Sequence, residues 1–325
     1  MKSLVFTFLT CFATATSFAY DPLKLPEAAL DVTLDFTVQD AKRDRALPIR
    51  VYLPAASVTA PVVLFSHGLG GSRENNPYLG KHWSARGYVV VFVQHPGSDE
   101  SVWKGQGPAR IPMAMKQAAS VQNFILRAAD IPAVLDQLTR WNADEAHALR
   151  GRLDLTRVGM SGHSFGAVTT QAVSGQTMPI GSSLNDPRIK AAVMMSPSVP
   201  AAGNAERAFG SVKTPWLLMT GTKDVARIGA TTIGGDLDSR LGVYPALPPG
   251  DKYELVLHDA EHGAFGERAL PGEGNQRNPN HHRVILALST AFWDAFLKGD
   301  AEAKSWLNGE GPHSVMEKDD RWQHK

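Results

Sequence analysis

The 325-residue chain has one cysteine, Cys11. A lone thiol closes no intramolecular disulfide, so stability has to come from core packing. Charge of one sign is missing as well. Thirty-three Lys and Arg residues stand against 32 Asp and Glu, a formal net charge of +1, which gives no electrostatic reason to expect nucleic acid or an anionic membrane as partner. Beyond the first few residues, no stretch approaches the roughly 18 uninterrupted apolar residues that cross a bilayer. The chain also lacks internal repeats and low-complexity tracts. What remains is the profile of a globular protein: at 43% hydrophobic residues, a chain of this length can bury one large core.

The N-terminus reads as a secretory signal over residues 1–19. Lys2 is a short basic start, Leu4 to Ala13 an apolar stretch, and Ser17-Phe18-Ala19 a small-x-small cleavage site. The expected mature protein begins near Tyr20 as a single domain, 20–325, exported to the periplasm or beyond, with no integral membrane segment once the signal is removed. Cys11 falls within this leader, which excludes a thiol nucleophile from the exported chain.

Along the remainder, short apolar runs alternate with longer amphipathic ones, as in a sheet with helices on its faces. Val32 to Val38 and Pro48 to Leu53 read as opening antiparallel strands. Buried strands follow at Pro61 to Ser66, Tyr88 to Val93, Thr156 to Met160, Ile189 to Met195, Trp216 to Thr220 and Tyr253 to Leu257. Helices are expected at Tyr78 to Ala85, Ser120 to Trp141, Ala167 to Ser174 and Arg283 to Leu297. The fold class is therefore α/β, a mostly parallel central sheet of about eight strands with helices on both faces. Long Gly/Pro-rich connections, Gly97 to Pro112, Gly175 to Pro187, Val225 to Pro249 and Gly263 to Pro279, are assigned to pocket walls, because such sheets bind ligands beyond the carboxyl ends of their strands.

Chemistry enters at Gly162-His163-Ser164-Phe165-Gly166, which stands between an apolar strand and a small-residue helix. A serine at such a strand-turn-helix junction is pushed out over the sheet edge, and the glycines on either side let strand and helix come close. The amide of Phe165, at a helix N-terminus, points to a developing oxyanion. A serine hydroxyl needs a base and a group to orient that base. Asp224 ends a buried strand at a glycine turn and is the candidate acid, with Asp236 and Asp238 as fallbacks. His262, in the loop after the strand Tyr253 to Leu257, is the candidate base, ahead of His258, His281 and His282. His258 and His262 have the spacing of a helical metal pair, but the preceding strand and Gly263 argue against a helix, so no metal is expected. The loop Ser66-His67-Gly68-Leu69-Gly70-Gly71 follows a strand, and the amide of Leu69 is the second oxyanion donor; His67 reads as structural. Trp103 and Tyr244 are candidates to line the substrate cleft, and His163 to form its floor.

Together, Phe65-Ser66-His67-Gly68-Leu69-Gly70, Gly162-His163-Ser164-Phe165-Gly166, Asp224 and His262 resemble the α/β-hydrolase superfamily. The likeness is to the esterases that resemble platelet-activating-factor acetylhydrolase and dienelactone hydrolase. It spans about Pro61 to Leu297, and implies Ser164 as nucleophile, His262 as base, Asp224 as orienting acid and the Leu69 and Phe165 amides as oxyanion hole. Two departures stand out. The acetylhydrolase branch carries its acid after the strand that follows the elbow helix, where this chain has Ser196-Pro197-Ser198. Dienelactone hydrolases use a cysteine, where this chain has Ser164.

The expected activity is that of an exported serine carboxylic ester hydrolase without a cofactor. Short-chain or lipid-type acyl esters are the expected substrates, or a polyester if the cleft is open. The alternatives are an acyltransferase with the same triad and a binding protein on a hydrolase scaffold.

Overall fold

The structure, a computed structural model, describes residues 20–26, 32–179, 183–201, 203–226, 235–267, 273 and 278–325. The signal-like segment 1–19, with Cys11, lies outside the described residues, as do parts of the loops before Pro187, Pro249 and Pro279.

Among the described residues, nine strands join one sheet. They are β1 (Val32–Asp40), β2 (Arg45–Leu53), β3 (Ala60–Ser66), β4 (Val89–Val93), β5 (Leu153–His163), β6 (Ile189–Met195), β7 (Trp216–Lys223), β8 (Lys252–Glu261) and β9 (Arg321–His324). Their spatial order is β1-β2-β4-β3-β5-β6-β7-β8-β9. The run from β4 to β8 is parallel; the β1–β2 hairpin and β9 add on antiparallel at the two margins. The sequence reading of about eight strands omits β9, whose Arg-Trp-Gln-His has no apolar alternation to betray it.

The central strands are apolar throughout because both faces are covered. Val63 and Phe65 of β3 enter one core with α1 (Pro77–Ala85) and the long helix Pro279–Leu297; Val62 and Leu64 enter the other with the helix Val121–Ala143. Numbered in chain order, α2 is Ile111–Ala118, α3 is Val121–Ala143 and α4 is Phe165–Val173. Helix α3 starts at a Ser120 N-cap, whose hydroxyl accepts from the Asn123 amide. It presents Phe124, Ala128, Ile131, Leu135 and Leu138 to the sheet.

At the end of the sheet where the parallel strands begin, Asp294 ties the layers together. Its buried carboxylate accepts from Tyr20 and Tyr88 hydroxyls, each at 2.7 Å, from Arg86 at 2.6 Å and from Lys298 at 2.7 Å. Burial alone would raise its pKa, but Lys298 and Arg86 outweigh that and hold it below the ordinary carboxylate range. Replacing it strands cations that were paired. Asp294→Ala should therefore lower the unfolding free energy by about 3 kcal/mol, read as a lower urea midpoint with an unchanged slope.

Candidate active site

The turn after β5 forces Ser164 into φ 57°, ψ −117°, a conformation non-glycine residues avoid, at a cost of roughly 1–3 kcal/mol. The turn is fixed by the Ser164 amide donating to the Met195 carbonyl at 2.9 Å. Its geometry demands the flanking glycines. A β-carbon on Gly162 would overlap the carbonyl of Gly166, and one on Gly166 would overlap the carbonyl of Ser66. Helix α4 thus lies with its first turn against the backbone leaving β3.

The structure brings together the three side chains singled out from the sequence. His262 Nε2 lies 2.9 Å from Ser164 Oγ, and its Nδ1 lies 2.6 Å from Asp224 Oδ1. With a carboxylate fixing the proton on Nδ1, Nε2 is left to accept from the hydroxyl. Ser164 is half-buried, His262 buried and Asp224 without solvent exposure. Burial would push the Asp224 pKa up. The His262 imidazole and the Arg240 guanidinium overcome this and hold the carboxyl well below its usual range. Arg240 Nε is 3.5 Å from Asp224 Oδ1, and Thr220 Oγ1 donates to Oδ2 at 2.9 Å. The same Arg240 donates to the Ser196 and Pro197 carbonyls and to Ser198 Oγ. The segment where the acetylhydrolase branch carries its acid here binds a cation instead.

The alternative acids and bases are placed elsewhere. Asp236 caps the short helix Leu237–Leu241 by accepting from the Ser239 amide, and Asp238 is exposed in that helix's first turn. His258 is exposed on β8; His281 donates to the His258 carbonyl, and His282 stacks on Tyr78 at 4.0 Å. No group of three or more potential metal-ligating His, Cys, Asp or Glu residues occurs among the described residues.

The loop after β3 lies beside the serine: a β-carbon on Gly68 would sit 3.4 Å from Ser164 Cβ. Leu69 follows directly in that loop, and Phe165 begins α4 directly after Ser164. Trp103 reaches this loop, its indole N–H donating to the Gly70 carbonyl at 2.7 Å. His163 Nε2 donates to the His262 carbonyl at 3.1 Å, and its ring lies 4.8 Å from the His262 ring. Burial first, then His262 and Arg240, push its pKa down to about 3, so it stays neutral. Tyr244 is a correction to the sequence expectation. It packs in a core with Phe209, Val212 and Trp216 under the Lys325 ammonium, 4.6 Å from its ring. Lys325 pairs with Lys252 at the start of β8, the end opposite His262. The long connection holding Tyr244 coils into short helices that bury it rather than lining a cleft.

A second Ser-His-Asp chain, unforeseen from the sequence, lies behind the loop. Ser66 Oγ and His95 Nε2 are 2.9 Å apart, and His95 Nδ1 and Asp130 Oδ2 also 2.9 Å. All three side chains have no solvent exposure, so no substrate reaches them. Arg43 and Arg45 pair with Asp130; burial would raise its pKa, but His95 first and then Arg45 hold the carboxyl below the ordinary range. The His95 amide donates to His67 Nε2 at 3.0 Å, and His67 Nδ1 donates to the Gly68 carbonyl. Burial and the nearby Arg127 and His95 push His67 well below its usual pKa; burial and Arg127 bring His95 to about 4. Both rings are neutral supports of the loop.

A family described as PET hydrolase-like matches residues 110–270. The family of platelet-activating factor acetylhydrolase, isoform II, matches residues 50–105. The first stretch holds Ser164, Asp224 and His262, and the second holds Leu69. Over 222 residues the chain is 24% identical to Cutinase est1 of Thermobifida alba, covering 66% of this chain and 57% of that protein. It is 25% identical over 259 residues to Cutinase 2 of Thermobifida cellulosilytica (79% of this chain, 76% of that one) and to Cutinase cut1 of Thermobifida fusca (79% and 62%). The chain thus spans less than two thirds of the est1 and cut1 relatives.

Two outcomes follow for stability. Gly166→Ala should destabilise the fold by several kcal/mol, on the order of an overpacked core site, because the clash is backbone against backbone; thermal melts read it directly. The depressed histidines set a pH dependence. Unfolded, His95 and His82 would bind protons near pH 6.5, but folded they do so only near pH 4. Their stabilisation is complete above about pH 6.5 and is lost as pH falls toward 4, by about 1.4 kcal/mol per pH unit for each ring. Urea denaturation at pH 7, 6, 5 and 4 should show a falling midpoint; a flat profile contradicts it.

Proposed function

Because the chain belongs to the α/β-hydrolase superfamily, we propose that it is a serine carboxylic ester hydrolase working through an acyl-enzyme on Ser164. The observation that carries this reading is the hydrogen-bonded line Ser164 Oγ, His262, Asp224, at 2.9 and 2.6 Å. Ser164 Oγ attacks the ester carbonyl carbon while its proton passes to His262 Nε2. The oxyanion so formed is received by the Leu69 and Phe165 amides, each donor worth about 3 kcal/mol. On collapse, the carbon–oxygen bond to the alcohol breaks and His262 protonates the leaving oxygen. Water then loses a proton to His262 and attacks the acyl carbon, and the second collapse releases the acid and returns the proton to Ser164. Asp224, kept ionised by His262 and Arg240, holds the ring's orientation and stabilises the imidazolium.

No step needs a metal or organic cofactor. The cutinase and PET hydrolase-like resemblances support a polyester or other acyl ester as substrate. The signal-like segment 1–19 supports export, and no helix among the described residues is long and apolar enough to cross a membrane.

A chain-length series of p-nitrophenyl esters tests this reading. Ser164→Ala and His262→Ala should each lower kcat about 10⁶-fold, and Asp224→Asn less, about 10⁴-fold. Turnover that survives Ser164→Ala, or a mild Asp224→Asn beside a damaging Asp236 or Asp238 variant, overturns it. A covalent serine probe should label the wild type but not Ser164→Ala.

A further inference from the structure

The two proposed oxyanion donors belong to separate pieces of chain. Leu69 is on the loop after β3, and Phe165 begins α4. Something has to set the gap between them, since a misplacement of about 1 Å at a reacting centre can cost on the order of 100-fold in rate. One side chain, that of Arg127, hydrogen-bonds to both pieces. Arg127, from the middle of α3 and 1% exposed, donates through Nε to Thr169 Oγ1 of α4 at 3.0 Å. Its Nη2 donates to Ser66 Oγ at 3.0 Å and to the His67 carbonyl, two residues before Leu69. Its Nη1 donates to Ser98 Oγ at 3.0 Å, and its plane covers the Phe165 ring, 4.6 Å from the ring centroid. Thr169 Oγ1 in turn donates to the Phe165 carbonyl at 2.9 Å.

We propose that Arg127 is a positioning residue, a rigid fork that fixes the spacing of the Leu69 and Phe165 amides and so sets how well the site receives an oxyanion. The proposal rests on the acyl-transfer reading of Ser164 above. Three features carry it. First, the guanidinium is planar, with five donors in fixed directions, so contacts on loop and helix cannot drift independently. Second, none of its hydrogen-bonded partners is a carboxylate; a fully buried cation on neutral oxygens is an expensive way to join two elements that apolar packing could join. Burial lowers its pKa to about 9 against the pull of Asp130 and Asp99, so it remains charged at neutral pH. Third, the loop end of the fork is itself braced. Ser66, which accepts from Arg127, donates to His95, and His95 is locked by Asp130. The buried Ser66–His95–Asp130 chain thereby acquires a role: it stiffens the support against which Arg127 pulls.

The test uses the full chain with p-nitrophenyl butyrate as substrate and phenylboronic acid as a mimic of the tetrahedral adduct. Arg127→Gln should lower kcat about 100-fold, the low end for losing one oxyanion donor, with KM changed less than threefold. Boronate affinity should fall in step with kcat. Arg127→Lys should rescue little, because an ammonium is a point donor and not a fork. Asp294→Ala, destabilised from the opposite end of the strands, should keep wild-type kcat at 25 °C and wild-type boronate affinity. If Arg127→Gln does not fold, Thr169→Val removes only the helix end of the fork, and should lower kcat about 10-fold with KM unchanged. Folded Arg127→Gln with kcat within twofold of wild type overturns the proposal. So does Thr169→Val with unchanged kcat where Arg127→Gln is unfolded, or a rise in KM without loss of kcat or boronate affinity. Each of these leaves the esterase reading standing. Absence of any Ser164-dependent turnover in the wild type overturns the esterase reading first, and the positioning role with it.

Discussion

Where no β-carbon fits between Gly166 and the carbonyl of Ser66, α4 can press its first turn onto the chain leaving β3. That contact sets the whole site. It brings the helix N-terminus beside the loop 67–71, and it holds Ser164 in a backbone conformation it would not adopt alone. The strain is local and the compensation is distributed. The Ser164 amide is taken up by β6, Thr169 and Thr170 bond back within α4, and two buried cores grip the sheet from opposite faces. A serine so held keeps its β-carbon beside His262, with Oγ 2.9 Å from Nε2.

Two buried guanidinium groups bracket this contact, and they differ in kind. Arg240 lies against the Asp224 carboxylate and the carbonyls of the 196–197 turn, so it joins the acid to the strand end beside the elbow. Arg127 has no carboxylate in its hydrogen-bonding shell and grips oxygens of neutral groups. Isolated charges of this sort are tolerated in an interior only when their donors are met. Arg127 meets that demand with four oxygens on three chain segments. The histidines around it, neutral because burial disfavours their charged forms, add hydrogen bonds without adding positive charge.

The sequence made the frame of this arrangement legible, and its supports much less so. The alternation of apolar runs marks the parallel strands because both sheet faces are buried. Ser164, Asp224 and His262 stand out because each follows such a run, where side chains project beyond the sheet. The β9 strand is hidden by its polar composition, and α2 by starting at the end of the Gly/Pro-rich connection that runs to Pro112 and stopping just short of the longer helix from Ser120. Tyr244 shows the converse: a loop-like composition suggests a cleft wall, yet the segment folds into helical turns and buries the ring. Arg127 did leave a signal. It stands three residues after Phe124 and four before Ile131, inside the apolar stripe of α3. A charge placed there must be buried, and a buried charge needs partners, but nothing in a single sequence says that they lie on β3 and α4.

The outer margin of the sheet has its own consequence. On the side of His262, β8 is followed by β9, and Lys325 continues the ladder by exchanging main-chain hydrogen bonds with Lys252. Sheets loosen first at their outermost strand, where each residue has one neighbour instead of two. Here that exposed position falls to four residues with no part in the chemistry. The first half of the strand that leads to the imidazole, from Lys252 to Val256, is shielded on both sides, so thermal fraying is spent on 321–324 before it reaches β8.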